Sequence, residues 1–253
     1  MRIIALGTGT SQGIPMIGCK CPVCQSSDPQ DNRLRSSLYV ETEKTKVLID
    51  IGPDFRTQFL SNGLDTVDMV LITHEHNDHM IGLDDIRSIN FTQKKSIPIY
   101  AERRVADELR GRFAYAFNTR IQGLPKVDLI HIDENFAFQD NDINIKPVRI
   151  MHGRLPILAY RLNDLSYVTD ASYIDEVGME VLSDSKVLII NALRIDPHPT
   201  HFNLDTALEV IEKLNPEKAY LTHISHAMGK TKEWSKLLPD NVFPLIDGMQ
   251  INI

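Results

Sequence analysis

LITHEHNDHM, residues 71–80, holds three histidines and one aspartate within six positions, directly behind an apolar run. Residues 68–73 are rich in apolar and β-branched side chains and are predicted to form a buried strand. His74 therefore begins the loop at the C-terminal end of that strand. Alternate side chains of an extended backbone share a side, so we expect His74 and His76 to point at one spot.

The second half of this stretch, Asp78 and His79, follows a turn at Asn77 and can face a second point close by. Imidazole and carboxylate ligands suit zinc, manganese and iron alike. Two such metals about 3.5–4 Å apart can share a hydroxide and clamp a phosphoryl group. The alternative is a buried cluster of three imidazoles and a carboxylate without a cation, which would leave much polarity unsatisfied. The stretch therefore predicts a dinuclear metal site.

The composition is that of an ordinary globular protein, with 42% hydrophobic and 24% charged residues among 253. This length allows one large domain or two small ones, and we interpret residues 1–253 as a single domain because no linker, repeat or low-complexity tract divides them. The start, MRIIALGTGT, has too short an apolar run for a signal peptide, and no stretch approaches the roughly 20 apolar residues of a membrane span. We therefore expect a cytoplasmic protein with no membrane partner.

The net charge of −7 argues against a surface that holds long stretches of nucleic acid. Residues 87–126 differ from the rest, with nine lysines and arginines against three acids. Charges in this segment fall at the i,i+4 spacing of a solvated helix, in the pairs Arg103–Asp107 and Arg104–Glu108. We prefer that interpretation to a basic patch that attracts an anionic substrate.

The three cysteines, Cys19, Cys21 and Cys24, all lie in the short segment GCKCPVC. An odd cluster in a cytoplasmic chain is poorly explained by disulfides. Three thiolates at this spacing can cover one face of a zinc ion but leave its tetrahedron one ligand short, so a histidine elsewhere should complete it. The alternative is three reduced cysteines in a turn, although Gly18 and Pro22 shape the tight loop that a zinc knuckle requires.

Strands and helices alternate along the chain. Strands are predicted at residues 2–6, 37–42, 46–51, 68–73, 143–149, 157–162, 165–169, 186–191, 217–222 and 242–246. Helices are predicted at residues 53–63, 102–116, 172–182 and 203–214. Two strand-rich halves that each supply helices predict an α/β (α+β) fold, in which two sheets pack face to face with helices outside. Loops at the strand ends would then carry the chemistry.

The stretch THEHNDH resembles the H-x-H-x-D-H motif of the metallo-β-lactamase superfamily, whose other motifs follow in order along the whole chain. LIDIGP resembles the first motif, with Asp50 behind the metals. MHG offers His152, VTDAS offers Asp170 and LTHISH offers His223. Within the superfamily, GTGTSQGIPMIGCKCPVC followed by H-x-x-H resembles the family of phosphoribosyl 1,2-cyclic phosphate phosphodiesterases, which implies His226 as the missing zinc ligand.

The resemblance implies an αββα sandwich of two mixed sheets and a division of the ligands among three metals. One active-site metal would take His74, His76 and His152, and the other would take Asp78, His79 and His223, with Asp170 bridging. A separate structural zinc would take Cys19, Cys21, Cys24 and His226. Without the resemblance, Asp170 also suits an acid at the N-terminus of a helix.

Two histidines in DPHPTHFNLDTALE, His198 and His201, are candidates for a general acid. In phosphodiesterases of the resembling group and in related transfer-RNA 3′-processing endonucleases, a histidine at this point resembles a general acid and phosphate ligand. We favour His201 because it directly precedes a predicted helix, where it could reach an anion bound beside the helix N-terminus. The alternative for either is a solvated loop histidine. His131 has no motif around it and is interpreted as structural.

The glycine-rich start GTGTSQG lacks the G-x-G-x-x-G spacing of a nucleotide-binding loop. We expect Gly7, Gly9 and Gly13 to allow tight turns beneath the metal site.

These residues predict a metal-dependent phosphodiesterase, a phosphoric diester hydrolase acting on small cyclic phosphodiesters or nucleotide-like phosphate esters. Its cofactors would be two zinc or manganese ions at the active site and one structural zinc. Asp78 would orient the attacking hydroxide, and His201 would protonate or stabilise the leaving oxygen. The resemblance also implies that a homodimer is common among relatives.

Three alternatives remain open from the sequence. A transfer-RNA 3′-processing-type nuclease would use the same metals, although the Gly/Pro-rich basic arm that such enzymes usually carry is not apparent. A lactonase or thioesterase would use the same dinuclear site to attack a carbonyl carbon. A non-enzymatic, zinc-stabilised interaction module would hold one ion instead of three.

Overall fold

Two seven-stranded β-sheets packed face to face form the centre of the molecule, in a computed structural model that describes residues 1–117 and 123–253. The strands are β1 (Arg2–Gly7), β2 (Ser37–Glu41), β3 (Lys46–Ile49), β4 (Met69–Leu71), β5 (Ile97–Ala101), β6 (Val127–His131), β7 (Phe138–Asp140), β8 (Ile143–His152), β9 (Leu155–Leu162), β10 (Leu165–Val168), β11 (Val187–Asn191), β12 (Lys218–Thr222), β13 (Val242–Pro244) and β14 (Gln250–Asn252). The helices are α1 (Phe55–Ser61), α2 (Asn77–Met80), α3 (Ile86–Gln93), α4 (Arg103–Arg112), α5 (Glu176–Leu182), α6 (Leu204–Leu214) and α7 (Thr231–Trp234).

Both sheets combine antiparallel and parallel strands. The order is β14-β1-β2-β3-β4-β5-β6 in the first sheet and β13-β12-β11-β10-β9-β8-β7 in the second. Strands β3 to β6 run parallel in the first sheet, and strands β10 to β13 run parallel in the second. The remaining neighbours are antiparallel. Within each sheet the parallel strands therefore end at one common edge, where their loops can meet.

Apolar side chains fill one layer between the sheets and one layer outside each of them. Ile49 and Leu71 of the first sheet share the central layer with Tyr160 and Ile189 of the second. Helices α1, α3 and α4 cover the outer face of the first sheet, and α5 and α6 cover that of the second. Helix α6 illustrates the reason, because its buried residues recur at helical spacing, at positions 204, 207, 211 and 214. The αββα sandwich expected from the sequence is confirmed.

The ten predicted strands and four predicted helices are all present, with their ends shifted by a few residues. Elements not predicted from the sequence are β5, β6, β7, β14, α2, α3 and α7. Within the two described ranges, no helix has both the length and the apolar character needed to cross a membrane.

The predicted ion pairs of the basic segment are wrong. Among the described residues, Asp107 pairs with Arg110 at 3.3 Å and Glu108 with Arg112 at 3.1 Å. Arg104 pairs instead with Glu75 and Glu102, which lie in less exposed surroundings where an ion pair is screened less by water. Residues 118–122, which belong to the same basic segment, lie outside the described residues.

A buried polar cluster ties the N-terminal loop to the last strands. The Arg33 guanidinium donates to Thr8 Oγ1 at 2.7 Å, to the Leu245 carbonyl at 2.6 Å and to Thr231 Oγ1 at 3.1 Å. The carboxylate of Asp247 accepts from Thr8 Oγ1 at 2.7 Å and from the Leu34 amide at 2.6 Å. Burial raises the pKa of Asp247 to about 6 despite these bonds.

Replacing Asp247 by asparagine should flatten the loss of stability that we expect as the pH rises from 4.5 to 7.5. An aspartate with a pKa near 3.9 when unfolded and about 6 when folded stabilises the fold while it is protonated. That contribution is complete below about pH 3.9 and is lost as the pH rises through about 6. The free energy of unfolding of the variant, relative to the parent, should gain roughly 1.5 kcal/mol over this interval, allowing for partial exposure. Urea unfolding at both pH values measures it, and an unchanged difference would contradict it.

Candidate metal centre

The candidate ligands of the dinuclear site arrive at the ends of strands from both sheets. His74 and His76 follow β4 in the first sheet, and α2 carries the next two ligands of the same stretch. In the second sheet, the ligands that end or follow β8, β10 and β12 are His152, Asp170 and His223. The structure brings all seven together in overlapping groups whose ligand atoms lie within 4.8 Å of one another, namely His74–His76–His152, His74–His79–Asp170 and Asp78–His79–His223.

Three site residues that follow strands adopt left-handed backbone conformations. Their φ angles are 62° at Asp50, 57° at Asp170 and 55° at His223. Such angles cost free energy in residues with a Cβ and persist where the surroundings impose them. Each turn comes directly after a parallel strand, so it redirects the side chain at the edge where the ligands converge. Gly52 allows two backbone segments to approach closely at this edge, because a Cβ there would lie 2.0 Å from the Asp78 carbonyl oxygen.

The three-histidine group, His74, His76 and His152, is held from behind by hydrogen bonds. Nδ1 of His152 donates to the Thr200 carbonyl at 2.7 Å, which leaves its Nε2 for the group. Nδ1 of His74 lies 2.9 Å from Thr73 Oγ1, and its Nε2 lies 3.0 Å from Nδ1 of His76. Supporting bonds of this kind orient the rings of metal-ligating histidines.

The second group centres on His79 and two carboxylates. Nδ1 of His79 donates to Asp50 at 2.7 Å, and its Nε2 lies 3.1 Å from Asp78 and 3.2 Å from Asp170. The other oxygen of Asp170 lies 3.2 Å from Nε2 of His223. Asp170 therefore presents one oxygen to each histidine, as a bridging carboxylate would.

The hydrogen bonding of the buried nitrogens in the second group indicates whether a cation suits this site. Among the described residues, Nε2 of His79 and Nε2 of His223 form no hydrogen bond, although carboxylate oxygens lie a little over 3 Å away. Buried polar atoms are almost always satisfied, so two such nitrogens facing carboxylates suit a shared cation. The donor set, with imidazole and carboxylate, also matches zinc, manganese or iron.

The pKa shifts of Asp78 and His79 also indicate that this group suits a cation. Burial opposes the charge on Asp78, but the positive charge of His79 holds its pKa far below the usual value. Burial also opposes a charge on His79, yet Asp78, Asp170 and Asp50 raise its pKa well above normal. A proton on His79 thus compensates the carboxylates in the metal-free protein. A divalent cation would displace such protons on binding.

His201, and not His198, joins the ligand cluster. Nε2 of His201 lies 3.1 Å from Asp170, and its ring stacks on His223 with 5.1 Å between centroids. His198 lies behind it, with the two Nδ1 atoms 3.1 Å apart. Burial lowers the pKa of His201 to about 4, so its imidazole is neutral near pH 7 in the metal-free site.

The helix after His201 does not offer the anion site that the sequence suggests. The side chain of Asn203 accepts from the Thr206 amide at 3.3 Å, and the Leu204 amide donates to the Arg194 carbonyl at 2.9 Å. These amides at the start of α6 are thus occupied by the protein itself. Away from this cluster, His131 ends strand β6 with an exposed side chain and joins none of the metal-ligand groups among the described residues.

The cysteine group closes around His226. Sγ atoms of Cys19, Cys21 and Cys24 lie 3.3, 3.4 and 3.5 Å from Nδ1 of His226. A tetrahedral zinc with bonds of about 2.3 Å to sulfur and 2.0 Å to nitrogen separates its ligands by roughly 3.5 Å. A hydrogen bond from the Cys24 amide lowers the pKa of Cys21 to about 6, whereas burial raises that of Cys24 to about 11.

The glycine-rich start, residues 7–13, is joined to the segment that carries His223. Gly9 forms β-bridges with both Arg35 and Ile224, and a Cβ at Gly9 would lie 2.9 Å from the side chain of Arg33. The Thr10 amide donates to the Ile224 carbonyl at 3.0 Å. The glycine-rich start therefore packs beside the metal cluster. Gly13, with a φ of 63°, lies in a turn as expected, whereas Gly7 and Gly9 allow close backbone approach instead of a turn.

The sequence motifs point to Asp50 behind the metals, but they do not point to Thr73 or Thr200, which also support the candidate ligands. Asp50 accepts from the Thr73 amide at 2.8 Å while it holds His79, and the Thr200 carbonyl holds His152. The only sequence signal for the two threonines is their position next to a ligand or a strand end.

Comparison with known proteins agrees with this fold. Residues 45–224 match the family model described as a β-lactamase superfamily domain. A structure described as a new diphosphatase from the PhnP family superposes with a TM-score of 0.93 and 37% identity, covering 100% of this chain and 97% of that one. The zinc-bound PqqB of Methylobacterium extorquens has the same fold, with a TM-score of 0.82, 15% identity and full coverage of both chains.

Two curated relatives are longer than this chain. An octanoyltransferase of Porphyromonas gingivalis is 40% identical over 253 residues, which are 99% of this chain and 51% of that protein. A ribonuclease Z of Staphylococcus saprophyticus is 25% identical over 185 residues, which are 68% of this chain and 54% of that protein. The chain spans about half the length of the curated relatives it matches.

The fold, with its ligand cluster at the strand ends, is that of a metallo-β-lactamase-fold hydrolase. The chain belongs to the metallo-β-lactamase superfamily and, within it, to the PhnP family.

Proposed function

We propose that this protein is a metal-dependent phosphodiesterase that hydrolyses small cyclic phosphodiesters or nucleotide-like phosphate esters. The observation that carries the proposal is the position of Asp170, which presents one oxygen to His79 and the other to His223 and also contacts His201. This arrangement suits two metals with a proton donor beside them, which is the equipment that phosphoryl transfer to water requires.

The candidate ligands fall into two sets, one for each active-site metal. One metal would be held by His74, His76 and His152, and the other by Asp78, His79 and His223, with Asp170 between them. Bound there, the two ions would supply charge to the phosphoryl oxygens and lower the pKa of a water molecule.

Asp78 would then orient the attacking water, and His201 would supply the proton to the leaving group. Asp78 accepts a hydrogen bond from the attacking water and orients it toward phosphorus. Binding of the anionic phosphate would favour a second proton on His201, and as the P–O bond to the leaving group breaks, this imidazolium passes one proton to the departing oxygen and returns to the neutral imidazole. Asp170 holds that imidazole in place through its contact with Nε2.

Two observations favour small substrates. The net charge of −7 disfavours long nucleic acid, whose binding depends on many phosphate contacts. The PhnP-family relative is described as a diphosphatase, so a small phosphate ester or anhydride is the substrate class to test first.

The test is turnover of bis-p-nitrophenyl phosphate, 2′,3′-cyclic nucleotides and nucleoside diphosphates by protein loaded with zinc or manganese. Turnover should require the metal. His201→Ala should lower kcat by roughly a hundredfold, the usual size of a general-acid contribution, whereas His198→Ala should lower it by less than about tenfold, since His198 contacts the His201 ring at Nδ1 but does not touch Asp170. Absence of metal-dependent turnover on every substrate would reject the proposal, and equal losses in the two variants would reject the role of His201.

Acyl-thioester hydrolysis is a second candidate, favoured by the relative named octanoyltransferase. The same dinuclear site can attack a carbonyl carbon. Hydrolysis of an octanoyl thioester with no turnover of phosphodiesters would favour this candidate.

Cleavage of precursor transfer RNA at rates matching those on small diesters would instead favour a nuclease like ribonuclease Z.

A further inference from the structure

The three-histidine group depends on the relative position of the two sheets. His74 and His76 belong to the first sheet and His152 to the second, and the rings of His76 and His152 lie 5.1 Å apart. A metal accepts these nitrogens only near 2.1 Å, with a tolerance of about 0.2 Å. Something must therefore hold the two sheets in register at this edge.

A chain of charged residues crosses between the sheets at this point. Arg104, in the first turn of α4, donates to Glu75, to Glu102 at 3.0 Å and to the Pro156 carbonyl. The other oxygen of Glu102 accepts from Arg149 at 2.6 Å, and Arg149 also donates to Glu134 at 2.5 Å. We call these five charged residues, Glu75, Arg104, Glu102, Arg149 and Glu134, the inter-sheet bridge.

The bridge touches both segments that carry the histidines, through Glu75 and through the bond from Arg104 to Pro156. Glu75 lies between His74 and His76 in the sequence. Pro156 pairs with Met151 in the β8–β9 hairpin, beside His152. The guanidinium of Arg104 is therefore bonded at once to the first-sheet loop and to the second-sheet hairpin.

The bridge is more than a surface ion pair. The side chains of Glu102, Glu75 and Arg104 are 13%, 21% and 32% exposed, so their charges are only partly screened. Among the described residues, Oε2 of Glu75 is buried without a hydrogen-bond partner, so Arg104 is its main compensation. Loss of Arg104 would leave that carboxylate uncompensated between two candidate ligands.

We propose that Arg104 is a positioning residue, which sets the distance between His152 and the pair His74 and His76 and so the metal affinity of the three-histidine group. This inference rests on the proposed function, because it assumes that the group holds a metal. The planar fork of arginine is what allows one side chain to bond three partners in different segments.

The test compares metal affinities of metal-free parent and variants by titration with zinc against a chromophoric chelator. Arg104→Gln should weaken one of the two active-site ions by roughly 10- to 100-fold, the usual effect of losing a supporting contact, and leave the cysteine zinc unchanged. Excess metal should restore kcat. Arg104→Lys should recover only part of the affinity, because an ammonium cannot bridge the same partners.

Arg110→Gln is the matched control, since Arg110 lies on the same helix with a side chain 45% exposed and pairs only with Asp107 among the described residues. Its affinities should equal those of the parent. Parent-like affinity in Arg104→Gln, full recovery in Arg104→Lys, or equal weakening of all three ions would each overturn the inference. A parent that binds no ion outside the cysteine group would reject the proposed function itself, before any variant is measured.

Discussion

Replacing Asp78 by alanine is expected to lower kcat for phosphodiesters by roughly a thousandfold, the upper range for losing one preorganised contact to a transition state. Asp78 Oδ2 lies 3.1 Å from Nε2 of His79 and 3.9 Å from Nε2 of His223. Alanine would remove an oxygen ligand from this group together with the carboxylate that orients the attacking water. The measurement is kcat at saturating metal, together with metal content, which should fall by one ion per chain.

The matched control is Asp84→Ala, six positions further along the chain, where the carboxylate is bonded to the hydroxyl of Tyr115 at 2.7 Å. Its kcat should stay within about threefold of the parent, because no candidate metal ligand contacts it. If Asp78→Ala keeps more than a tenth of the parent's kcat at saturating metal, Asp78 neither binds the metal nor orients the water.

Replacing Cys21 by serine is expected to have the opposite profile, with a large effect on stability and a smaller one on turnover. The cysteine group joins positions 19 and 226, and a cross-link closing a loop of this length contributes roughly 5 kcal/mol by chain entropy. The variant should lose one zinc per chain and melt about 10 °C lower. Turnover per folded molecule should fall much less than in Asp78→Ala, because a zinc with four protein ligands has no open position for water.

Lys20→Ser is the control for the cysteine variant, because Lys20 lies between two of the thiols and is exposed. It should retain the full metal content and the parent's melting temperature. A Cys21→Ser protein that keeps its full metal count and melts like the parent would show that the four residues around His226 do not form a zinc site.

The sequence is informative about the site because the ligands follow strands that are easy to predict. Asp170 comes directly after the apolar run LSYVT, and His223 comes after KAYLT, so both mark the ends of buried parallel strands. Local patterns show that these ends carry polar side chains. They do not show which ends meet, which depends on the order of strands in two sheets and came from the resemblance.

Where prediction fails, local preference and tertiary packing disagree. Strand β5 contains Pro98, which argues against a strand, and β6 is an edge strand without a fully buried face. Helix α3 carries Ile86 and Ile89, whose β-branched side chains disfavour helix until the first sheet buries them. Packing against the sheet outweighs propensity in these segments.

The contact of His201 with Asp170 and the partner of Arg104 both depend on contacts between distant segments. His201 is favoured in the sequence by its place before a helix, but backbone bonds from the Leu193 amide to the Phe202 carbonyl at 2.9 Å and from the Phe202 amide to the Ala171 carbonyl at 2.6 Å fold the loop so that it meets Asp170. For Arg104, the i,i+4 rule selected Glu108, whereas its actual partner Glu75 is 29 positions away. Contacts across sheets leave no periodic trace in a sequence.

The distance along the chain between the three cysteines and His226 has a consequence for synthesis. Translation runs from the N-terminus, so the thiols emerge about 200 residues before the histidine that completes their group. Throughout that interval, Cys19, Cys21 and Cys24 have no fourth protein ligand and their sulfurs are open to oxidants and to competing metals. Strand β1 likewise emerges long before its neighbour β14, since Arg2 pairs with Asn252. Newly made protein should therefore depend most on a reducing, zinc-sufficient cell before its final segment is translated.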